Sequence, residues 1–315
     1  MRPKILFLNR ADDYLPTTLT AAGYECDFDY TCSYEVLLEK IHTYTGIVLR
    51  SRHPIDATLL RRAERLRFVA RLGVGIEHID LETAAQQNVQ VLNSPEGSRD
   101  AVAELSIGLI LSLLRFIPRA DGEIGRGIWD RKRNTGREIK GKTVGIMGYG
   151  NMGSALAERL RCFGATCIAY DRYRTGFGSE SVEEVSLYDL WERTDILSLH
   201  FPISPENHHF VDAGFLKNFA KPIWLVNTAR GEILETAAVV NALREGRLHG
   251  AALDVLEYEE GSFANFSFEN LPDDFRFLVE SDRVVLTPHL GGITHEAVAN
   301  HARVIAQKIL DLNLA

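Results

Sequence analysis

The chain has 315 residues, of which 45% are hydrophobic and 25% are charged, and its formal net charge is −8. The length is sufficient for two domains. The hydrophobic and charged fractions are those of a globular protein, so large-scale disorder is excluded. The negative charge argues against a nucleic-acid coat or a membrane-surface protein, and an anionic substrate must be bound by local basic residues.

The N-terminus and the cysteines indicate a cytoplasmic protein. Met1 to Lys4 lead directly into the apolar Ile5–Leu8, which is too short for the core of a signal peptide. The longest apolar stretch, Leu105–Leu114, has about half the length of a bilayer span and predicts a buried helix. The cysteines form no CxxC pair and have no partnering histidines at metal-ligand spacing, so we expect reduced thiols and no metal site. They are Cys26, Cys32, Cys162 and Cys167.

Short apolar strands alternate with helical segments in the first part of the chain. The predicted strands are Ile5–Leu8, Tyr24–Phe28, Ile47–Leu49, Phe68–Ala70 and Val89–Leu92. The predicted helices between them are Tyr34–His42, Ala57–Arg65 and Leu81–Gln87. This alternation predicts a parallel sheet covered by helices on both faces.

The same alternation resumes after a long apolar helix predicted from Ala101 to Pro118. The strands of this second part are Thr143–Met147, Ala165–Tyr170, Ile196–Leu199, Ile223–Val226, Ala251–Leu253 and Val284–Leu286. The segment 260–282 contains five phenylalanines and is predicted to be irregular, packing on its own domain or on a partner. A helix from Thr294 to Leu312 closes the chain. The pattern predicts an α/β protein with two parallel-sheet domains.

A glycine motif directly follows the strand 143–147. In Gly148-Tyr149-Gly150-Asn151-Met152-Gly153, the first glycine allows a tight turn, the second lets the backbone approach a pyrophosphate, and the third lets the helix pack closely. The helix N-terminus offers N–H groups to the phosphates. Asp171 ends the next strand, where an acid binds the ribose hydroxyls and repels a 2′-phosphate. The motif therefore predicts NAD as the cofactor, with Arg172 and Arg174 as exposed arginines; the alternative is that these two arginines pair with the 2′-phosphate of NADP.

Three polar motifs lie at or just beyond later strand ends, where open α/β sheets bind their ligands. They are Asn227–Gly231, Leu253–Glu259 and Thr287–Gly292. Together they resemble the D-isomer-specific 2-hydroxyacid dehydrogenase family, and the resemblance covers nearly the whole sequence. Three further segments resemble motifs of the family. Gly73–Asp80 resembles its substrate loop, and His200–Pro202 resembles its histidine–proline motif. Asn93–Pro95 and the following Ala101–Glu104 resemble its domain crossover.

The resemblance implies two Rossmann-like or flavodoxin-like domains with an active-site cleft between them. Residues 1–97 and 288–315 would form the substrate domain, and residues 98–287 the NAD-binding domain. The resemblance also implies a homodimer, with the segment Trp129–Arg133 near the subunit contact. Arg131 is either a surface charge or reaches towards the neighbouring site, and both alternatives stay open. The chain stops at Ala315, so no C-terminal regulatory domain is expected.

The resemblance assigns substrate binding to Arg230, acid–base catalysis to His289 and the partner carboxylate to Glu259. Oxidation of a 2-hydroxy acid requires a base for the hydroxyl proton, and histidine, with an ordinary pKa of about 6.5, suits this exchange at neutral pH. A carboxylate on the other ring nitrogen stabilises the imidazolium, and a guanidinium can bind the substrate carboxylate by two hydrogen bonds. Glu260 stands where the family often has proline, so Glu257 and Glu260 stay open as alternatives to Glu259.

Other site residues follow from the same resemblance. The cofactor contacts are Gly148, Gly150, Asn151, Met152, Gly153, Asp171, His200, Pro202, Asn207, Thr228, Ala229, Asp254 and Gly291. The substrate contacts are Arg50, Ser51, Arg52, Val74, Gly75, Arg230 and His289.

The segment Arg50-Ser51-Arg52 follows a predicted strand, and its two guanidinium groups and hydroxyl suit a phosphate. It also resembles the D-3-phosphoglycerate dehydrogenases of the family. The predicted reaction is therefore NAD-dependent oxidation of D-3-phosphoglycerate to 3-phosphohydroxypyruvate, as in serine biosynthesis. The alternatives are a glyoxylate/hydroxypyruvate or other D-2-hydroxyacid dehydrogenase, and an NAD-dependent corepressor-like binding module.

Overall fold

The computed structural model describes residues 2–259 and 272–314. The chain divides into two compact units, the first made of residues 1–101 and 292–315 and the second of residues 102–291.

The first unit is built on a five-stranded parallel sheet. Its strands are β1 (Lys4–Phe7), β2 (Glu25–Phe28), β3 (Gly46–Leu49), β4 (Phe68–Arg71) and β5 (Gln90–Leu92). Its helices are α1 (Tyr14–Ala21), α2 (Tyr34–Lys40), α3 (Ala57–Arg62), α4 (Leu81–Gln86), the start of α5 (Pro95–Arg115) and α12 (His295–Leu310). The strand order is β2-β1-β3-β4-β5, and every pairing is parallel.

Both faces of this sheet are covered, which is why its central strands are apolar throughout rather than alternating. Leu6 and Ile47 belong to the core on one face, and Phe7, Phe68 and Ile305 to the core on the other. The strands β1, β3 and β4 therefore present polar side chains only at their ends.

The second unit contains a seven-stranded parallel sheet. Its strands are β6 (Thr143–Met147), β7 (Thr166–Tyr170), β8 (Glu183–Glu184), β9 (Ile196–Leu199), β10 (Ile223–Asn227), β11 (Leu248–Leu253) and β12 (Val284–Leu286). Its helices are the rest of α5, α6 (Ile117–Gly125), α7 (Asn151–Leu160), α8 (Leu187–Arg193), α9 (Ala213–Lys217), α10 (Thr236–Arg244) and α11 (Asp273–Glu280). The strand order is β12-β11-β10-β9-β6-β7-β8, which places β6 and its glycine motif where the order reverses.

The predicted α/β class and the two parallel sheets are confirmed, and each predicted strand is present with ends shifted by a few residues. The long apolar helix differs from its predicted bounds, because α5 begins at Pro95, where a proline suits the first turn. It ends at Arg115, since Phe116 adopts a left-handed backbone with φ of 53°.

The expectation that 260–282 is wholly irregular is wrong, because α11 occupies Asp273–Glu280. Two acids stand in its first turn, where they favour the helix dipole, and Phe275 and Leu278 are buried one turn apart. The first three phenylalanines of the segment, Phe263, Phe266 and Phe268, lie outside the described residues.

Within the described part of the chain, no single helix has the length and apolarity needed to cross a membrane. Helices α5 and α6 meet the length and composition criteria only as a pair, which is bent by 62°.

Candidate active site

The structure brings His289 and Glu259 together in the second unit. His289 follows β12, and its Nδ1 lies 2.8 Å from Oε2 of Glu259. The other carboxylate oxygen of Glu259 accepts a 2.6 Å hydrogen bond from the backbone N–H of Leu256, which fixes the orientation of the carboxylate. The histidine side chain is 35% exposed and the glutamate 18%. With Nδ1 held by a carboxylate, Nε2 is the nitrogen for proton exchange with a ligand.

The loop that carries His289 is tied to Asp254, at the end of β11. The fully buried carboxylate of Asp254 accepts hydrogen bonds from the Thr287 hydroxyl at 2.5 Å and from the backbone N–H groups of Leu290 and Gly291, both at 2.8 Å. The backbone N–H of His289 donates to the Asp254 carbonyl at 2.7 Å. These bonds hold His289 in a left-handed backbone with φ of 54°, which a non-glycine residue rarely adopts. Asp254 thus positions this loop, and its direct contact with the cofactor stays a prediction.

Asn227 holds the turn that carries Arg230, as Asp254 holds the loop that carries His289. Its buried side chain donates to the Arg230 carbonyl at 2.8 Å and accepts from the Ala229 backbone N–H at 3.0 Å, so it closes the turn after β10. The Arg230 guanidinium donates to the Ala229 carbonyl at 2.7 Å. Asn227 pairs with Leu253 across β10 and β11, so the turn of Arg230 and the loop of Glu259 begin side by side.

Glu257, an alternative partner for His289, is bound elsewhere in this structure. Its carboxylate lies 2.7 Å from Nε2 of His209 and accepts a 2.9 Å hydrogen bond from the Thr236 backbone N–H. Burial by itself would raise the pKa of Glu257, but the hydrogen bonds from Thr236 and His209 outweigh it and hold the pKa below its ordinary value. The other alternative, Glu260, lies outside the described residues.

The glycine motif has the geometry that a pyrophosphate requires. Gly148 has φ of 90°, and a Cβ there would lie 2.7 Å from the His200 carbonyl oxygen, so only glycine fits. A Cβ on Gly153 would lie 2.2 Å from the Gly148 carbonyl, so α7 packs directly on the turn. At Gly150, the N-cap of α7, a Cβ would meet nothing within 4 Å, and no side chain caps the helix. The first-turn backbone N–H groups of α7, which begins at Asn151, therefore have no side-chain cap, and such groups bind phosphates at helix N-termini.

Asp171, the predicted ribose contact, follows β7 and ties two loops together. Its carboxylate accepts from the backbone N–H of Tyr149 at 2.8 Å and from that of Arg174 at 3.0 Å. The Arg174 guanidinium is bound to the Tyr149 carbonyl at 2.7 Å, and the Arg172 guanidinium lies 3.2 Å from the Glu206 carboxylate. Both arginines therefore have protein partners, and the acid at the strand end favours ribose hydroxyls over a 2′-phosphate.

The loop after β9 contains three further predicted cofactor contacts. Burial lowers the pKa of His200 to about 4, so the ring is neutral and lies 2.8 Å from the Ser198 hydroxyl. Pro202 is exposed, and its carbonyl accepts a 2.7 Å hydrogen bond from Asn207. Asn207 also accepts from the Ser204 backbone N–H at 2.6 Å, so its side chain closes the loop.

Thr228 and Gly291 complete the predicted cofactor contacts. The Thr228 hydroxyl lies 3.2 Å from that of Ser106 on α5. A Cβ on Gly291 would lie 3.1 Å from the Asp254 carboxylate, so a larger residue would press on the group that holds the His289 loop.

The predicted substrate residues of the first unit stand at the carboxyl ends of its strands. Arg50, Ser51 and Arg52 follow β3 and are exposed. The Arg50 backbone N–H donates to the Asn9 side chain at 2.8 Å, and the Arg52 guanidinium donates to the Cys32 carbonyl at 3.3 Å. Each guanidinium has five donors, so these bonds leave capacity for an anion.

A turn that we call the anion turn, residues 71–75, follows at the end of β4. Gly73 has φ of 146°, and a Cβ there would lie 1.3 Å from Nη1 of Arg71, so the guanidinium occupies the space that glycine leaves open. The Val74 carbonyl accepts a 2.7 Å hydrogen bond from Asn93, and Gly75 is buried. Arg71 was not among the predicted substrate contacts. The sequence signal for it is its place as the last residue of an apolar strand, two residues before Gly73.

Comparisons with known proteins identify the family of this chain. Residues 107–291 match the family model described as D-isomer specific 2-hydroxyacid dehydrogenase, NAD binding domain. The chain belongs to this family. A D-3-phosphoglycerate dehydrogenase of Methanocaldococcus jannaschii is 36% identical over 280 residues, covering 87% of this chain and 51% of the relative. A glyoxylate reductase of Thermofilum pendens is 36% identical over 289 residues, covering 90% of this chain and 82% of the relative.

The solved structures show the same fold. The structure of D-2-hydroxyisocaproate dehydrogenase superposes with a TM-score of 0.83 at 26% identity, covering 99% of this chain and 97% of that one. The chain spans about half the length of the curated phosphoglycerate dehydrogenases that it matches. Its cofactor is NAD, because residues 107–291 form the NAD-binding domain of this family and contain the glycine motif.

Asp254→Asn should lower the free energy of unfolding by about 1–3 kcal/mol. The amide has one acceptor oxygen where the carboxylate has two, so its NH₂ group would face a backbone N–H of Leu290 or Gly291. Urea denaturation followed by circular dichroism measures the change. Asp121→Asn, on an exposed position of α6, is the control. Equal stability of the two variants would show that the Asp254 network does not hold the loop.

Asp171→Ala should weaken NAD binding roughly tenfold to a hundredfold, because hydrogen bonds to a charged group are lost. Its affinity for NADP should fall less, since the repelling charge is also removed. Isothermal titration calorimetry with each cofactor measures both effects, and Glu180→Ala removes a more exposed acid for comparison. A parent protein that prefers NADP would contradict the assignment of Asp171.

Proposed function

We propose that this protein is an NAD-dependent dehydrogenase of a D-2-hydroxy acid, with D-3-phosphoglycerate as its substrate. The observation that carries the proposal is the 2.8 Å pairing of His289 with Glu259 on a loop held by the buried Asp254. A binding module would have no need for an oriented histidine–carboxylate pair, which favours an enzyme over the corepressor-like alternative.

Each residue has a role that follows from its chemistry. The glycine motif of residues 148–153 and Asp171 would hold NAD, which would supply the acceptor for the hydride from the C2 carbon of the substrate. His289 takes the hydroxyl proton at Nε2, and Glu259 stabilises the resulting imidazolium through Nδ1. Arg230 binds the substrate carboxylate and stabilises negative charge on the reacting oxygen.

The phosphate assignment rests on local positive charge in a protein of net charge −8. Arg50 and Arg52 follow β3 and Arg71 ends β4, so three guanidinium groups stand at neighbouring strand ends of one sheet. Guanidinium groups match phosphate oxygens in geometry and charge. The similarity to several D-3-phosphoglycerate dehydrogenases supports the same substrate.

A second candidate is the reduction of glyoxylate or hydroxypyruvate. It is favoured by the similarity to a glyoxylate reductase, of which this chain covers a larger share than of the phosphoglycerate dehydrogenases. The same acid–base pair serves reduction, with His289 donating the proton.

His289→Ala should lower kcat by roughly 10²–10⁴-fold and leave NAD affinity unchanged, because the base is lost while the glycine motif is intact.

Glu259→Gln should shift the pH–rate profile, since the charge that stabilises the imidazolium is removed. The matched control is Glu257→Gln, which changes a carboxylate two residues away that binds His209. A profile that moves in Glu257→Gln and stays constant in Glu259→Gln would reverse the two assignments.

Arg52→Ala should lower kcat/KM for D-3-phosphoglycerate roughly tenfold to a hundredfold and hardly affect D-glycerate, because only the former carries a phosphate. Nicotinamide absorbance measures both rates. Arg61→Ala, on an exposed position of α3, removes the same charge away from the strand ends. Equal losses on the two substrates, or a parent that prefers D-glycerate, would rule out phosphoglycerate and favour another D-2-hydroxy acid.

A further inference from the structure

His301 on α12 is a buried histidine that the proposed reaction does not use. Its Nδ1 lies 2.8 Å from the hydroxyl oxygen of Ser94 and 3.0 Å from the carbonyl oxygen of the same residue. A carbonyl oxygen can only accept, so Nδ1 carries the ring proton and donates it to both atoms.

Ser94 in turn holds the anion turn. It is fully buried and bound to Gly73: its backbone N–H donates to the Gly73 carbonyl at 2.9 Å, and its hydroxyl accepts from the Gly73 N–H at 3.0 Å and donates to the Gly73 carbonyl at 3.5 Å. Gly73 is the residue whose missing side chain makes room for the Arg71 guanidinium. A continuous path of hydrogen bonds therefore runs from His301 through Ser94 to the backbone beneath Arg71.

The surroundings of His301 fit this ring closely. A Cβ on Gly97 would lie 2.5 Å from Nδ1 of His301 and 2.8 Å from its backbone nitrogen, so α12 reaches Ser94 only because residue 97 is glycine. The histidine side chain is 7% exposed. An apolar side chain of similar size would fill the same space and lose only the donor.

The ring is neutral at physiological pH. Burial lowers the pKa of His301 to about 4; the bond to Ser94 opposes the shift, and the nearby charges of Arg71 and Arg50 add to it. Glu96 opposes the shift weakly. His301 therefore supplies a donor without placing a further positive charge beside two guanidinium groups.

We propose that His301 is a positioning residue for the anion turn: its Nδ1–H fixes Ser94, and Ser94 fixes Gly73 and with it the Arg71 guanidinium. The inference rests on the proposed function in so far as this turn binds the anionic substrate. It assigns to α12 an effect on substrate affinity without any contact with the substrate.

Two substitutions test the donor. His301→Leu keeps an apolar body of similar size and removes the donor, whereas the amide of His301→Asn places an N–H near the position of Nδ1. We expect KM for D-3-phosphoglycerate to rise roughly three- to tenfold in the leucine variant, with kcat within a factor of two. The asparagine variant should return KM to near the parent value. His295→Leu, at an exposed position of the same helix, should change neither constant.

A second measurement does not depend on turnover. Hydrogen–deuterium exchange of a peptide that covers residues 71–76 should be faster in the leucine variant and slow again in the asparagine variant. If the parent oxidises no 2-hydroxy acid, the proposed function fails, but this exchange still decides the role of His301. If His301→Leu does not fold, Ser94→Ala removes the acceptor for Gly73 and should give the same two changes.

The inference is overturned if the leucine variant keeps both the parent KM and the parent exchange rate. It is also overturned if kcat falls while KM is unchanged, or if the asparagine variant behaves like the leucine variant. The last result would indicate that His301 acts by filling space.

Discussion

The loop that carries His289 in the second unit depends on one buried charge, the carboxylate of Asp254. It has no exposure to solvent, and a buried carboxylate is stable only when its oxygens accept hydrogen bonds. Thr287, Leu290 and Gly291 supply these bonds, and all three flank His289. The requirement to satisfy the charge therefore forces the loop after β12 to close over the end of β11. The strained backbone of His289 follows from this closure.

The need to satisfy a buried polar group also fixes the turn after the neighbouring strand β10, where the group is the neutral amide of Asn227. Asn227 is buried at the end of β10 and satisfies both its amide oxygen and its amide nitrogen within the turn that carries Arg230. Because β10 and β11 are paired in parallel, these two polar residues lie at one edge of the sheet. The apolar interior thus fixes the strands, and the buried polar residues at their ends fix the functional loops.

Two histidine–glutamate pairs lie close together in sequence and serve different purposes. Glu259 holds His289, while Glu257 joins His209 to the first turn of α10. The pairs have similar lengths and similar exposure, so distance alone does not distinguish them. The distinction comes from their surroundings, since only His289 stands on the loop held by Asp254, next to the turn of Arg230.

The sequence by itself determined the class of the fold and the cofactor. Apolar runs separated by helical segments permit little other than parallel sheets, and each glycine of the 148–153 motif has a single physical reason to be glycine. The sequence also indicated His289, Arg230 and Glu259, because their motifs resemble those of the family, and each of these motifs follows a predicted strand. The prediction of an irregular segment was wrong for Asp273–Glu280, because phenylalanines among acidic residues do not reveal a short amphipathic helix.

Only the tertiary structure decided which polar residues meet. Glu257 and Glu259 are equivalent by type and nearly so by position, and their partners are fixed by the packing of loops from β9 and β12. The roles of Asp254 and Asn227 in holding these loops, and the connection from His301 through Ser94 to Gly73, likewise depend on contacts between residues far apart in the chain. Sequence periodicity describes which face a residue takes within one element, and it carries no information on which distant element that face will contact.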